Sequence, residues 1–344
     1  MKLMKFVRKF EMVWIIGVFL SWRIGLFLIS FVAQKFLPLK KSFPYADTIL
    51  VPSGLPSWLW PWGGFDGVHY LTIAKSGYDG FGTQVFFPLY PMFINLVNRL
   101  IPNILISSLL ISNLSIFLAA MVLYKMTKNK WAVAFLFAFP FSFYFGSVYT
   151  ESLFLLLVLL TFSYSKVFSL LAGATRLAGI FLAPWGWAGL VLYSLYLWWR
   201  FGRPLFFLSA QSAFGSRATT LTTLVSPFQT LFRYGKIFLT VSPANYNFWV
   251  AFSEITVFVF GIGMLIWLTK KIPISWLVFS WLSLLLPSFS GTLSSMPRYL
   301  LGIFPIFIGL GLIKNRFVKS VILSLFVILL VIFTALFTRG YWVS

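Results

Sequence analysis

Long apolar runs separated by short polar segments dominate the chain. The first run extends from about residue 13 to residue 32, and about 20 apolar residues are enough for a helix to cross roughly 30 Å of hydrocarbon. Bulky residues follow this run instead of a small-residue cleavage site, so the pattern predicts a retained first span and not a signal peptide. Further runs follow at residues 86–100, 104–124, 131–149, 152–164, 170–190, 191–199, 246–268, 276–287, 299–312 and 321–336.

This pattern predicts an all-α integral membrane protein with about 10–11 transmembrane helices. Two stretches depart from simple spans. The run 86–100 is short and contains Pro88 and Pro91, which predicts a broken or re-entrant helix. The stretch 201–245 mixes basic residues with Ser and Thr, so it is ambiguous between an amphipathic segment and a loop. Either it crosses the membrane once overall, or one of its neighbours is re-entrant.

We expect residues 1–344 to form a single polytopic membrane domain. Its parts are a first span at 1–34, an outer loop at 35–85, membrane helices at 86–200, the ambiguous segment at 201–245 and C-terminal helices at 246–344. The outer loop is the longest polar stretch before residue 200, and it holds three of the six acids and the only His. The loop is therefore where catalytic residues are expected.

Composition supports a membrane protein. Hydrophobic residues are 60% of the chain and charged residues only 10%, whereas a soluble domain has about 25% charged residues. The net charge of +21 permits nucleic-acid binding in principle, but most basic residues stand at the ends of apolar runs, as the positive-inside rule describes. We therefore expect a multi-pass protein of the cell membrane, with a cytoplasmic N-terminus and the loop on the outer face. The absence of Cys excludes thiol chemistry, and one His leaves little for a zinc site.

The densest polar motif begins at Asp66. Residues 67–76 predict a short interfacial helix that ends at Gly77. Asp66 is then either an N-cap or a carboxylate available for proton transfer, and these roles are compatible. His69 lies on the same helical face and is either a hydrogen-bonded interfacial side chain or a ligand.

Three other features of the sequence are candidates for chemistry. Thr150 and Glu151 form a good helix start, with a hydroxyl cap followed by an acid near the positive helix end, or Glu151 lines an outward cavity. Arg176 lies inside an apolar run, where it either snorkels or faces a cavity. Arg298 and Tyr299 stand at the outer start of a span, as an anchor or as substrate ligands. A carboxylate opposed by guanidinium groups suits transfer from a phosphate leaving group.

At these residues the sequence resembles the PIG-V family of membrane mannosyltransferases, within the GT-C class of glycosyltransferases that use polyprenol-phosphate sugars. The family pattern appears as Phe65-Asp66, His69-Tyr70, Ile73-Ala74, Gly77-Tyr78 and Phe-Phe-Pro-Leu-Tyr-Pro at 86–91. It continues with Tyr-Thr-Glu-Ser at 149–152, the Thr-Arg-x-x-Gly of 175–179, Pro204 to Gln211, and Arg298-Tyr299. The sequence departs from the family where Phe65 and Phe214 replace Trp.

The resemblance implies an inverting transfer of a hexose, in the family mannose, from a polyprenyl-phosphate donor to a lipid or glycan acceptor on the outer face. Asp66 and Glu151 are the implied catalytic residues. The implied ligands of the donor phosphate and substrate are His69, Lys75, Arg176, Gln211, Arg298 and Tyr299. No metal site or required cofactor is expected, a divalent cation is left open, and the partners are the two substrates and the bilayer, not nucleic acid. The alternatives are a transporter or lipid flippase, or a non-catalytic scaffold.

Overall fold

The computed structural model describes residues 9–40, 45–80, 82–214 and 225–343, and all regular structure within them is helical. Residues 215–224 of the ambiguous segment, with Arg217, lie outside the described residues. The α-helices are α1 (Lys9–Phe36), α2 (Asp66–Ser76), α3 (Leu89–Asn98), α4 (Ile104–Thr127), α5 (Lys130–Ala138), α6 (Glu151–Ser163), α7 (Phe168–Gly173), α8 (Pro184–Phe201), α9 (Phe206–Ser209), α10 (Pro227–Thr240), α11 (Tyr246–Leu268), α12 (Ile274–Leu285), α13 (Met296–Leu301), α14 (Pro305–Leu312) and α15 (Arg316–Thr338).

Four of the described helices, α1, α4, α11 and α15, are long and apolar enough to cross a membrane. The two shorter apolar helices are Glu151–Ser163 and Ile274–Ser290. The prediction of an all-helical chain is therefore confirmed for the described residues, as is the presence of helices long and apolar enough to span a membrane. The total of 10–11 crossings stays a prediction.

In several apolar runs the helices begin or end at prolines, and these boundaries differ from the ones that the hydropathy pattern predicts. The helix pair expected at 170–190 and 191–199 is wrong, because α8 runs unbroken through residues 190 and 191 and begins at Pro184. Proline suits the first helical turn, where no intrahelical partner for its missing N–H is lost. Similarly, α5 ends before Pro140, and Pro305 separates α13 from α14.

Helix α3 shows the same effect. It begins at Leu89, so Pro88 precedes it and Pro91 lies in its first turn. The prolines therefore start this helix and do not break it. With 10 residues it is about 15 Å long, too short to cross a bilayer.

The chain forms two compact units. The first unit comprises Met1–Lys75, Tyr90–Tyr164 and Ile306–Val343, and the second comprises Ser76–Leu89 and Ser165–Pro305. The single membrane domain expected from the sequence stays a prediction.

In the first unit, α1 and α15 run parallel. At their N-terminal ends both helices meet α5: the Lys130 ammonium lies over the Phe10 ring of α1, and the Lys319 ammonium of α15 lies over the Trp131 ring. Just beyond their C-terminal ends, the Lys40 backbone N–H donates to the Arg339 carbonyl at 2.9 Å. Helix α4 is antiparallel to α1, because the Tyr124 hydroxyl near its end donates to Glu11 at 2.8 Å.

In the second unit, α7 and α8 pack backbone against backbone. A Cβ added at Gly173 would lie 2.1 Å from the Gly186 carbonyl oxygen, and one at Gly189 would lie 2.1 Å from that of Leu170. Only glycine allows this approach. The short helix Leu177–Phe181 completes the group, since a Cβ at Gly179 would lie 2.3 Å from the Ala172 carbonyl carbon.

Helix α10, in the formerly ambiguous segment, is amphipathic with its apolar face outward. Phe228, Phe232 and Leu239 are exposed, whereas Thr230 and Tyr234 are buried. A 14-residue helix is about 21 Å long. This arrangement is typical of a helix lying in the membrane interface and not of a span.

Candidate functional site

The Asp66 motif forms the predicted short helix. Helix α2 begins at Asp66 and ends at Ser76, followed by Gly77 in the left-handed conformation with φ +82°. The prediction of a helix at 67–76 with Gly77 as its stop is confirmed, with one more residue at the start. Asp66 lies in the first turn, where a carboxylate interacts favourably with the positive end of the helix.

Phe65, just before Asp66, has an unusual backbone conformation. Its φ is +55°, which is rare for a bulky residue and costs of order 1–3 kcal/mol. The Phe65 ring packs 5.6 Å from the Phe337 ring and 5.3 Å from the Trp342 ring, centroid to centroid. These contacts hold the chain in the left-handed conformation immediately before the candidate catalytic carboxylate.

The segments that carry Asp66 and Glu151 adjoin in the first unit. The Val148 N–H donates to the Trp62 carbonyl at 2.9 Å, and the Tyr149 hydroxyl donates to the Gly64 carbonyl at 3.2 Å. A Cβ added at Gly67 would lie 3.2 Å from Val148. The two catalytic candidates from the sequence therefore belong to one packed region, with Asp66 half-buried and Glu151 fully buried.

The predicted capping role of Thr150 is wrong. Thr150 is the N-cap of α6, but its φ of −78° and ψ of −13° are helical and its side chain makes no capping hydrogen bond. A capping hydroxyl needs an extended backbone to reach the N–H groups of the first turn. Glu151 does lie in that first turn, as expected.

His69 is half-buried on α2. Burial lowers the pKa of His69 below its ordinary value, and the negative charge of Asp66 opposes this shift. The Tyr45 ring packs on the imidazole edge to face, with 5.7 Å between centroids. A lowered pKa favours the neutral ring at neutral pH, so a phosphate contact by His69 would use an N–H donor and not a full charge. Lys75, in the last turn, is exposed.

In the second unit, the structure brings Arg176 and Tyr299 together. The Arg176 guanidinium lies 4.9 Å from the Tyr299 ring centroid. Arg176 is not inside a continuous span, because it stands in extended conformation between α7 and the helix Leu177–Phe181. Arg298, next to Tyr299 on α13, is buried. Three of the predicted ligands therefore occupy two neighbouring elements of this unit.

The remaining sequence motifs of the second unit form an aromatic cluster. Gln211 lies in the short helix Ala210–Ala213, and the adjoining Phe214 ring meets Phe86 at 5.4 Å between centroids. The Phe87 ring lies 5.1 Å from Tyr193 and 5.5 Å from Phe207. Phe86 and Phe87 are buried, so they pack inside the unit.

The structure thus divides the predicted site residues between the units. Asp66, His69, Lys75 and Glu151 belong to the first unit, and Arg176, Gln211, Arg298 and Tyr299 belong to the second. Within the described residues, no group of three His, Asp or Glu side chains is placed to share a metal ion.

One residue that the sequence analysis missed is Arg23. It lies in the middle of α1, exposes only 7% of its surface, and has no hydrogen-bond partner for Nη1 or Nη2 among the described residues. Its guanidinium lies over the Phe27 and Trp62 rings. The sequence does contain a signal for this residue, a lone charge inside the first apolar run. The average hydropathy of the run conceals that charge.

The sequence analysis also missed the pairing of Tyr234 with Glu254. The Tyr234 hydroxyl on α10 donates to Glu254 on α11, and it accepts the Leu293 backbone N–H at 3.0 Å. Burial raises the pKa of Tyr234, and the Glu254 charge raises it further, so the hydroxyl keeps its proton and donates. Glu254 had no recognisable partner in the sequence because Tyr234 lies on another helix.

Comparison of the chain with protein-family models, curated proteins and solved structures finds no match. The fold defines a class at a coarse level: the described residues are all-helical, with four helices long and apolar enough to span a membrane.

Proposed function

We propose that this protein is a membrane glycosyltransferase of the GT-C type, a mannosyltransferase by its resemblance to the PIG-V family. It moves a hexose from a polyprenyl-phosphate donor to a hydroxyl of a lipid or glycan acceptor, with inversion. The acceptor oxygen bonds to the anomeric carbon, the carbon–oxygen bond to phosphate breaks, and the lipid phosphate leaves with the electron pair. Asp66 accepts the proton of the attacking hydroxyl.

The observation that carries this proposal is the packing around Asp66. A left-handed Phe65 is held by aromatic contacts, and the following carboxylate starts a helix that packs on the segment before Glu151. Strained backbone beside a half-buried carboxylate is typical of functional sites, where the surrounding structure has to maintain a costly conformation. Glu151, buried in the same region, is proposed to position substrate.

From the resemblance and from guanidinium chemistry, Arg176 and Arg298 are proposed to bind the phosphate of the donor. Guanidinium groups bind phosphate oxygens through paired donors and stabilise the charge that grows as the leaving bond breaks. Support from the structure is local: Arg176 is oriented by the Tyr299 ring. Tyr299, Gln211, His69 and Lys75 are proposed substrate contacts.

We further propose a multi-pass topology in the cell membrane with the N-terminus in the cytoplasm. The parallel packing of α1 and α15 supports an odd total of crossings, because two parallel spans require an odd number between them. Eleven crossings fit and ten do not. Since the chain has no Cys, single cysteines at Asn315 and Ser57 would report accessibility without background. Both residues reacting from the same membrane side would contradict this topology.

A transfer assay tests the reaction. Purified protein would receive polyprenyl-phosphate mannose or glucose and candidate acceptors, and product would be identified by mass spectrometry. We expect Asp66→Asn to lower turnover by about 10²–10⁴-fold while donor binding persists. Arg298→Ala should instead weaken donor use. The matched control is Asp47→Asn, an exposed acid of the same loop. Full turnover in Asp66→Asn would refute the base assignment.

A transporter or lipid flippase is the second candidate. Two buried charges within apolar helices favour it, Arg23 in α1 and Glu254 in α11, because such charges often mark transport pathways. Reconstituted vesicles would separate the two functions. Transport of a labelled lipid or solute that is lost in Glu254→Gln, with no glycosyl product from any donor, would favour transport.

A further inference from the structure

An apolar groove runs along the first unit between α1 and α15. Its walls include Leu28, Val32 and Phe36 of α1 and Val331 and Ala335 of α15, and its volume is about 350 Å³. The wall on α1 extends from Leu28 to Leu37, about 14 Å of helix. One helix forms each wall, so the groove is the seam between two neighbouring helices, which suits one hydrocarbon chain lying along it.

One end of the groove carries positive charge. Lys35, Lys40 and Arg339 are the charged residues of 28–40 and 331–343, and no acid occurs in either stretch. Arg339 exposes only 9% of its surface, and its Nε donates to the Leu37 carbonyl at 2.9 Å. The Lys40 ammonium lies over the Tyr341 ring. The guanidinium is thus fixed at the end of the groove, while both lysines remain exposed.

The same end of the groove adjoins the Asp66 motif. Helix α15 continues from Ala335 to Phe337, and Trp342 follows Arg339 within three residues. The rings of Phe337 and Trp342 are the ones that pack on Phe65, immediately before Asp66. A lipid lying in the groove with its headgroup at Arg339 would therefore end beside the segment that holds Asp66.

We propose that this groove binds a single-chain lipid with a phosphate headgroup, of the polyprenyl-phosphate class. The choice of a polyprenyl chain rests on the proposed function, whereas the groove and its basic end do not. The chain contributes shape complementarity but little hydrophobic free energy, since it leaves hydrocarbon to enter an apolar groove. Affinity therefore depends on the phosphate reaching the basic residues, and a side chain that obstructs the groove prevents the lipid from lying with its phosphate at that end.

Binding of polyprenyl phosphate without sugar tests this inference independently of transfer. Native mass spectrometry of the purified protein would compare polyprenyl phosphate, polyprenol and a phosphatidylglycerol. We expect Ala335→Trp, which fills the groove, to weaken polyprenyl-phosphate binding at least tenfold. Val32→Trp obstructs it from the opposite wall, so a folding defect in one variant does not decide the result. Val259→Trp, on the exposed face of α11, is the matched control and should leave binding unchanged.

The basic end is tested with Lys35→Gln combined with Lys40→Gln. One basic residue near the surface changes affinity about fivefold, so the double variant should bind polyprenyl phosphate about 25-fold more weakly and polyprenol unchanged. The control is Lys270→Gln, an exposed lysine after α11. If both groove variants bind polyprenyl phosphate as tightly as the wild type, the inference is wrong. It is also wrong if the groove variants lose phosphatidylglycerol binding to the same extent as polyprenyl-phosphate binding. If the variants lose lipid binding as expected but the protein forms no transfer product, the groove is retained as a lipid site and the proposed reaction is refuted.

Discussion

The guanidinium carbon of Arg23 lies 4.6 Å from the ring centroid of Trp62, and the Trp62 carbonyl accepts the Val148 N–H. A buried arginine of α1 thus packs against the segment that precedes Asp66. An arginine at the centre of a membrane helix costs about 2.5–3.5 kcal/mol on insertion scales, and a desolvated cation–π contact returns about 2 kcal/mol. These opposing amounts nearly cancel, so we expect Arg23 to make little net contribution to stability.

The contact between Arg23 and Gly146 gives the first prediction. A Cβ at position 146 would lie 2.4 Å from Arg23 Nη1, and the buried guanidinium has little room to move. Gly146→Ala should therefore lower the free energy of unfolding by about 2 kcal/mol, measured by SDS titration in mixed micelles. Arg23→Met should change it by less than about 1 kcal/mol, because the opposing terms disappear together.

A double-mutant cycle checks the cause. In the Arg23→Met background the flexible thioether leaves space for the added methyl group, so most of the cost of Gly146→Ala should vanish. The exposed helix glycine Gly17, with nothing near its Cβ position, provides a control alanine substitution. If the two costs simply add, the steric explanation fails.

The second prediction concerns pH. Burial lowers the pKa of His69 from 6.5, so near that pH the unfolded chain binds more protons than the folded protein. Stability should therefore fall as pH decreases from about 7.5 to 5.5, and level off below the folded pKa. His69 is the only histidine of the chain, so His69→Gln should remove most of this dependence. Thermal unfolding in detergent at several pH values measures it, and equal slopes for both proteins would contradict the assignment.

The third prediction compares two substitutions in one hydrogen-bond network. Tyr234→Phe removes the hydroxyl that donates to Glu254 and accepts the Leu293 N–H, so two buried hydrogen bonds are lost at once. We expect a loss of about 2–3 kcal/mol in unfolding free energy. Glu254→Gln keeps an acceptor oxygen for the Tyr234 hydroxyl and should cost less. A larger loss for Glu254→Gln than for Tyr234→Phe would show that charge, and not hydrogen bonding, dominates.

The sequence predicts the features that depend on local pattern. The long apolar runs that became α1, α4, α11 and α15, and the short helix from Asp66 to Gly77, all follow from composition and spacing over a few turns. The predicted helix boundaries within the shorter apolar runs are wrong, because Pro184 and Pro305 start helices there. Hydropathy alone does not distinguish such a start from the interior of a span.

Contacts between residues that are far apart in the sequence cannot be predicted from the local spacing of residues. Tyr234 and Glu254 meet across two helices, and Phe65 meets Phe337 from opposite ends of the chain. The sequence suggests that Asp66 and Glu151 lie on one side of the membrane, but the hydrogen bonds between residues 62–64 and 148–149 exist only in the folded unit. The roles of both acids stay predictions until turnover is measured.

The last prediction concerns the glycines around Arg176. The sequence presents Gly173 and Gly179 as part of a motif flanking an arginine, yet both lie where α7, α8 and the helix Leu177–Phe181 meet backbone to backbone. Gly186→Ala would place a Cβ 2.3 Å from the Gly179 carbonyl oxygen. Backbone cannot yield as a side-chain tip can, so the helices have to separate.

We expect Gly186→Ala to lower the free energy of unfolding by about 3 kcal/mol or more. Gly263→Ala in α11 meets nothing within 4 Å and should instead stabilise by about 0.5–1 kcal/mol, because alanine favours the helix. The same SDS titration compares them. If Arg176 depends on this packing, Gly186→Ala should also weaken donor use at temperatures where the protein stays folded, whereas Gly263→Ala should not. Equal stability of the two variants would mean that the close approach of α7 and α8 does not constrain this part of the second unit.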